Sequence, residues 1–162
     1  MAATIKVLKA ALKSDADLAK AMGVSINPEW TAFGRAAIGH TLQKLEGRPP
    51  EEYWWLHFVI HKATNQLIGS CGYKGPPCEK GIVEIGYEIA PDFRRRGLAT
   101  ELAIGLVGHA FAHPKVRQII AHTLSHNNAS TKVLQKAGLQ KVAELFHNDD
   151  GQVWKWSVCR EE

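Results

Sequence analysis

Cysteine is scarce in this 162-residue chain: Cys71, Cys78 and Cys159 are odd in number and widely scattered. That pattern excludes a disulfide framework and a zinc knuckle, so free thiols in a reducing compartment are expected. No apolar run reaches the roughly 18 residues that a membrane-crossing helix needs. The first dozen residues place Lys6 and Lys9 among short apolar stretches, without the apolar segment and small-residue cleavage site of a secretory leader. A cytoplasmic protein without membrane association is the expectation. Internal repeats, low-complexity stretches and linkers are lacking too, which predicts a single domain over residues 1–162. Two phosphate-binding patterns are missing as well. There is neither a G-x-x-x-x-G-K-[ST] loop nor the three spaced glycines of a dinucleotide fingerprint.

What is present is a modest positive charge, +4, which suits an anionic partner. The charge is not carried by a basic tail, because acids and bases alternate along most of the chain. Its one dense cluster is Arg94-Arg95-Arg96, set directly against Gly97.

Patterning predicts a short strand over residues 4–8, then a helix capped by Ser14 and stopped at Gly23. Asn27-Pro28 reads as the start of a second helix, carrying Trp30, Phe33, Ala37, Ile38 and Leu42 at helical spacing and ended by Gly47-Arg48-Pro49-Pro50. Residues 53–60 and 66–73 read as a hairpin and 81–90 as a third strand. A helix over 97–112, a strand over 116–124 and a helix from Asn127 or Asn128 to Ala137 follow, the last with Gly138 just past its end. Residues 141–146 and 153–159 close the chain as a hairpin around Asp149-Asp150-Gly151. The order β-α-α-β-β-β-α-β-α-β-β places the chain in the α+β class with a mixed sheet.

The most specific signal lies where the third strand breaks at Pro91 and passes through three arginines into a helix. A helix start exposes backbone N–H groups and a partial positive charge. Gly97 lets an anion approach the main chain, Ala99 keeps the next position open, and arginine adds charge-assisted hydrogen bonds to phosphate oxygens. Such a turn suits a pyrophosphate. The pattern R-x-x-G-x-A (Arg94, Gly97, Ala99) resembles the acetyl-CoA pyrophosphate turn of the GNAT acetyltransferase superfamily. A second segment, Asn127, Ser130 and Gly138 in N-x-x-[S/A] followed eight residues later by glycine, is similar to the strand-to-helix junction of the same superfamily. The strand Gly81-x-Val83-Glu84-Ile85-Gly86-Tyr87 and the closing Gly151-Gln152-Val153-Trp154-Lys155-Trp156 segment resemble its ribosomal-protein N-acetyltransferase-like branch. Leu139 departs from that branch, which usually has Phe or Tyr there.

The resemblance implies a GNAT-like, mostly antiparallel sheet flanked by about four helices, with a V-shaped cleft between two splayed parallel strands. It implies acetyl-CoA as co-substrate and no metal. Backbone groups near Ile89 would pair with the pantetheine arm. The turn formed by Arg94, Arg95, Arg96, Gly97, Leu98, Ala99 and Thr100 would hold the pyrophosphate, with Asn127 and Ser130 toward the thioester. An amine attacking a thioester needs a proton acceptor, oxyanion stabilisation and an exit for the thiolate. Glu84 is the first candidate acceptor and Glu88 the second. Each has a structural alternative, pairing with a nearby Arg or Lys or facing solvent at the sheet edge. Alternation puts both on the face that Gly86 shares. Many superfamily members carry a tyrosine where Leu134 stands, so a phenol at that position is excluded and Ser130 becomes the candidate hydrogen-bond donor to the sulfur, with an ordered water as the alternative.

Of the eight histidines, His57 and His61 fall in an expected strand without the H-E-x-x-H pattern. His109 and His113, four apart on a helix, could hold a metal but suit the helix's last turn and have no third ligand nearby. His122 and His126 flank the expected cleft and could touch substrate, with a structural role read first. The tryptophans read as core. Trp30 and Phe33 are the candidate acceptor contacts. The acceptor itself is left open: a protein N-terminus or a small-molecule amine. A catalytically silent acyl-CoA sensor and a nucleic-acid binder using the arginines are the alternatives, with nucleic acid not expected as a partner. A monomer or homodimer is expected.

Overall fold

The computed structural model describes residues 1–46, 52–126, 128–147 and 151–161. The expected helix stop at residues 47–50, Asn127 and the Asp149-Asp150 turn lie outside them. The chain divides into two compact units, one of Met1–Lys74 with Tyr87–Arg96, the other of Gly75–Gly86 with Gly97–Glu162.

The first unit begins with a helix where a strand is expected. Helix α1 spans Ile5–Lys13, and the Thr4 hydroxyl caps it by accepting from the Val7 amide. Val7, Leu8 and Ala11 share one helical stripe and are all buried, so burial outweighs the weak β preference of Thr4 and Ile5. The extended stretch lies just before it, where Ala2 bridges His57 and the Ala3 amide donates to the Leu56 carbonyl. Helix α2, Asp15–Met22, follows with Ser14 accepting from the Asp17 amide and Gly23 in the left-handed region. After the short strand β1, Ser25–Ile26, the expected helix at Asn27 does not form. The Asn27 side chain instead accepts from the Glu29 amide two residues on, a local turn bond that competes with helix, and α3 starts only at Ala36 and runs to Leu45.

Strands β2, Leu56–His61, and β3, Gln66–Tyr73, pair antiparallel as expected, and β1 joins β3 in parallel. Strand β4, Ile82–Ile89, contributes its last residues to this unit, next to β3, where the Ala90 amide donates to the Ile68 carbonyl. Leu8, Leu18, Ile38, Phe58 and Leu67 form the centre of the core, with Trp30 tilted against Phe58 at 5.8 Å between ring centroids.

The second unit holds the start of β4, then helix α4 (Leu98–Ala112), strand β5 (Gln118–Leu124), helix α5 (Ala129–Lys136), and strands β6 (Gln140–His147) and β7 (Gly151–Cys159). Strands β4 and β5 run parallel over three residue pairs, from Ile82↔Gln118 to Glu84↔Ile120. Strand β7 pairs antiparallel with both β5 and β6. Val83, Ile119, Leu134, Leu139 and Trp156 are buried. Leu139 therefore takes the packing place of the expected aromatic. The Trp156 indole N–H is satisfied by the Thr123 hydroxyl at 3.0 Å, as a buried indole requires. Five α helices are described where about four were expected, and the α+β class with a mixed sheet stands.

Two expectations for stability follow from the first unit. A Cβ at Gly69 would run into the Glu88 carbonyl oxygen on β4, so Gly69→Ala should lower the unfolding free energy by about 1–3 kcal/mol in urea titration. Burial pushes the Cys71 thiol from its ordinary value of 9.0 up to about 11. The neutral thiol is the form the fold favours. Its stabilisation is present below pH 9.0 and lost as pH rises toward about 11. Over that window the wild-type urea midpoint should fall more steeply than that of Cys71→Ala.

Candidate active site

In the second unit the end of the β4–β5 ladder brings two titratable side chains together. Glu84 stands opposite Ile120 in the parallel register, and His122, two residues further along β5, projects from the same face as Ile120. The Glu84 carboxylate thus meets the His122 imidazole diagonally, Oε1 to Nδ1 at 2.9 Å, with side chains 20% and 18% exposed. A carboxylate at Nδ1 favours the tautomer that carries its proton there, which puts the ring's lone pair on Nε2. The ring is oriented by that bond. A carboxylate behind an imidazole is an arrangement suited to moving a proton.

Helix α5 starts just downstream of β5. Asn128 is its N-cap. The Asn128 side chain accepts from the Thr131 amide at 3.1 Å while the Thr131 hydroxyl is paired back to the Asn128 amide. This reciprocal capping box fixes the first turn, and Ser130 sits in it half-buried. Leu134 is 1% exposed and packs in the core, so its place in the chain is apolar.

The arginine turn runs along a continuous stretch of chain. In the first unit, Pro91–Phe93 forms a single 3₁₀ turn, and the Arg94 Nε donates to the Ile89 carbonyl at 3.0 Å. Arg96 lies over the Phe93 ring, 4.9 Å from its centroid. All three arginines are exposed. Arg95 holds φ 61°, unusual for a residue with a Cβ and costly by about 1 kcal/mol or more. In the second unit Gly97 is the N-cap of α4 with φ 80°, and no side chain caps the helix. The space a Cβ would occupy at Gly97 is open. First-turn amides, those of Leu98, Ala99 and Thr100 among them, have no intrahelical acceptor, and Gly97 has no side chain to cap them. The residues present therefore fit an anionic group such as a pyrophosphate.

Glu88 is held differently, within the first unit. Its Oε1 accepts from the Thr31 and Ser70 hydroxyls at 2.8 and 2.7 Å, and its Oε2 from the Ala32 and Phe33 amides at 2.7 and 3.2 Å. Four donors meet the four lone-pair sites of a carboxylate. Next to it, Ile89 is buried. Ala90 turns its amide to β3, so strand alternation directs the backbone groups of Ile89 away from β3. Of the two aromatic residues expected to meet the acceptor, Trp30 is 3% exposed and belongs to the core, whereas Phe33 is 69% exposed. Trp30 was placed on a helical face that does not form.

The acetyltransferase (GNAT) domain family matches residues 5–140. The chain belongs to the GNAT acetyltransferase family. YjdG from Bacillus subtilis, described as an uncharacterised N-acetyltransferase, is 31% identical over 150 residues, 88% of each chain. Among solved structures, a RimL ribosomal-protein alpha-N-acetyltransferase in complex with coenzyme A superposes with a TM-score of 0.66 at 17% identity, covering 98% of this chain and 91% of that one. An aminoglycoside acetyltransferase in complex with coenzyme A gives 0.62 at 17% identity, covering 91% of each. These two likenesses show the fold. As a GNAT acetyltransferase the protein is an acyltransferase, and acetyl-CoA is the acetyl donor general to the family. No cluster of three or more His, Cys, Asp or Glu suited to a metal is found among the described residues.

Sequence reasoning placed Glu84 correctly on the strand but missed its partner. The signal was a histidine six residues after Val116 in the next parallel strand, and it becomes legible only once the register is known. The Thr31 and Ser70 hydroxyls on Glu88 left no trace in any motif.

Gly97→Ala would force a side chain into a left-handed position at the start of α4. Its dissociation constant for coenzyme A should rise about tenfold by calorimetry, and its unfolding free energy should fall by about 1 kcal/mol in urea titration.

Proposed function

We propose that the protein is an N-acetyltransferase that moves an acetyl group from acetyl-CoA to a primary amine by direct attack in a ternary complex. The observation that carries the reading is the Glu84–His122 pair at 2.9 Å on the two parallel strands of a GNAT fold. His122 Nε2 is the proton acceptor, and Glu84 acts through it by fixing the tautomer and stabilising the imidazolium. The neutral amine attacks the thioester carbonyl, a C–N bond forms, and the amine proton passes to Nε2 directly or through one water. Collapse of the tetrahedral oxyanion breaks the C–S bond. The Ser130 hydroxyl donates a hydrogen bond to the departing thiolate, and the proton held by His122 passes to that sulfur, directly or through one water, to give the thiol. The amides and guanidinium groups of the turn from Arg94 to Thr100 bind the pyrophosphate, with Asn127 and the backbone at Ile89 along the pantetheine.

The acceptor is a protein N-terminus or a small-molecule amine. The ribosomal-protein and aminoglycoside acetyltransferases of similar fold support testing both classes. Thiol release from acetyl-CoA should be followed across spermidine, kanamycin and a peptide with a free α-amine. Saturable turnover with at least one amine is expected. His122→Gln should lower kcat by about a hundredfold or more. Glu84→Gln should lower kcat by about tenfold. Ser130→Ala should lower kcat more than it raises the KM for acetyl-CoA. Saturable coenzyme A binding with no thiol release from any amine would instead make the chain an acyl-CoA sensor.

A further inference from the structure

The Glu84–His122 pair has a third polar neighbour on its sheet face, one that takes no part in the proton transfer. In the antiparallel ladder between β5 and β7, Lys155 stands directly opposite His122. Residues opposite each other in such a ladder point to the same face, with Cβ atoms about 4.5–5.5 Å apart. Glu84, His122 and Lys155 therefore form a row across three neighbouring strands, β4, β5 and β7, all within the second unit. Glu84 holds the imidazole through Nδ1 from one side, and Lys155 comes from the strand on the other.

Lys155 is half-buried, yet its surroundings offer its ammonium no countercharge. Its neighbours on that face are His122 on β5, Ala143 on β6, and Val153 and Ser157 along its own strand. None of them is an acid, and the Ser157 hydroxyl already accepts from the Gln118 side chain at 2.7 Å. The Glu84 carboxylate is bonded to His122, and β4 lies two strand spacings from β7, about 10 Å. Among the described residues no acid pairs with Lys155. Lys141 on β6 is the contrast: its ammonium pairs with Glu144 and lies over the Trp154 ring, 3.8 Å from the centroid. Taking a charge partly out of water without a partner costs stability. A bound anion that meets the charge removes that cost.

We propose that Lys155 is a specificity residue, whose ammonium receives a carboxylate that the acceptor carries within a few bonds of its reacting amine. The acceptor is then an α-amino acid, or a peptide whose free N-terminus is followed by an acidic residue. An amine delivered to His122 Nε2, directly or through one water, has its nearest substituents within reach of a lysine one cross-strand spacing away. A carboxylate there gains charge-assisted hydrogen bonds, whereas a polycation such as spermidine meets like charge. The inference rests on the acetyl-transfer reading above, and its test separates the two.

Two pairs of acceptors replace a carboxylate by an amide: leucine against leucinamide, and the peptide Ala-Asp-Ala against Ala-Asn-Ala, both peptides amidated at the C-terminus. The quantity read is the ratio of kcat/KM, carboxylate over amide, within each pair. In at least one pair Lys155→Gln should lower that ratio by about tenfold or more, through the KM of the carboxylate member. Lys155→Arg keeps the charge and should restore most of the ratio. The dissociation constant for coenzyme A should stay as in the unaltered protein in both variants.

A ratio untouched by Lys155→Gln in both pairs would overturn the inference and leave the acetyl-transfer reading standing. Turnover of the amides alone, or of spermidine or kanamycin alone, would do the same. A kcat lowered equally for every acceptor would place Lys155 at the oxyanion and overturn its role in specificity. If no amine is acetylated, the acetyl-transfer reading fails, and calorimetry with N-acetyl-leucine and N-acetyl-Ala-Asp-Ala in the presence of coenzyme A decides the lysine site. At least one of them should bind about tenfold more weakly to Lys155→Gln than to the unaltered protein. Equal binding, or none, would overturn the site.

Discussion

A carboxylate half-buried at the end of a strand must find hydrogen-bond donors or lose its charge. At Glu88 that demand organises much of the first unit. The side chain draws in two hydroxyls and two backbone amides, from β3 and from the irregular stretch ahead of α3. The stretch has turns but no ladder or helix of its own to satisfy its N–H groups. Two of them are satisfied by Glu88. Strand β4 also lies tight against β3, because Gly69 has no side chain to keep the Glu88 carbonyl at a distance. The same strand end leads through a 3₁₀ turn to Arg94, whose guanidinium returns to the Ile89 carbonyl. Position 88 therefore connects the chain ahead of α3 with the strand that delivers the arginine turn.

In the second unit the organising constraint is the brevity of a parallel ladder. Strands β4 and β5 pair over three residues, and β5 takes its longer partnership from β7. Glu84 closes the β4–β5 ladder, and His122 lies just beyond it. A buried side chain in mid-ladder would be packed on both sides, whereas at this end each partner keeps about a fifth of its surface exposed. A carboxylate–imidazole pair with some access to water can exchange a proton with a bound group. The same pair wholly buried would be a structural ion pair. The register, more than either residue type, makes it a candidate for chemistry.

Much of the architecture was legible from pattern alone. Strands β2 to β5, helices α2, α4 and α5 and the closing hairpin stand within a few residues of their expected places, because alternation, Ser14, Asn128 and Gly138 are local signals read by local physics. The failures share a cause. Thr4-Ile5 resembles a strand and Asn27-Pro28 a helix start, but in each case a competing demand won: burial of Val7, Leu8 and Ala11 on one stripe, and the Asn27 side-chain bond to Glu29. Trp30 was consequently assigned to a surface and proved to be core.

By itself the sequence determined the class of the fold, the family, and the turn whose amides and arginines suit a pyrophosphate. Each of these is set by residues adjacent in the chain, where φ, capping and charge act over a few bonds. Only the tertiary structure decided that Glu84 meets His122, while Glu88 is enclosed by Thr31, Ser70 and the amides of Ala32 and Phe33. Two glutamates four residues apart on one strand are indistinguishable to any local pattern. They differ because the partners that give each its chemistry come from 38 residues away in one case and as many as 57 in the other, and only strand pairing and packing bring such residues within hydrogen-bond reach.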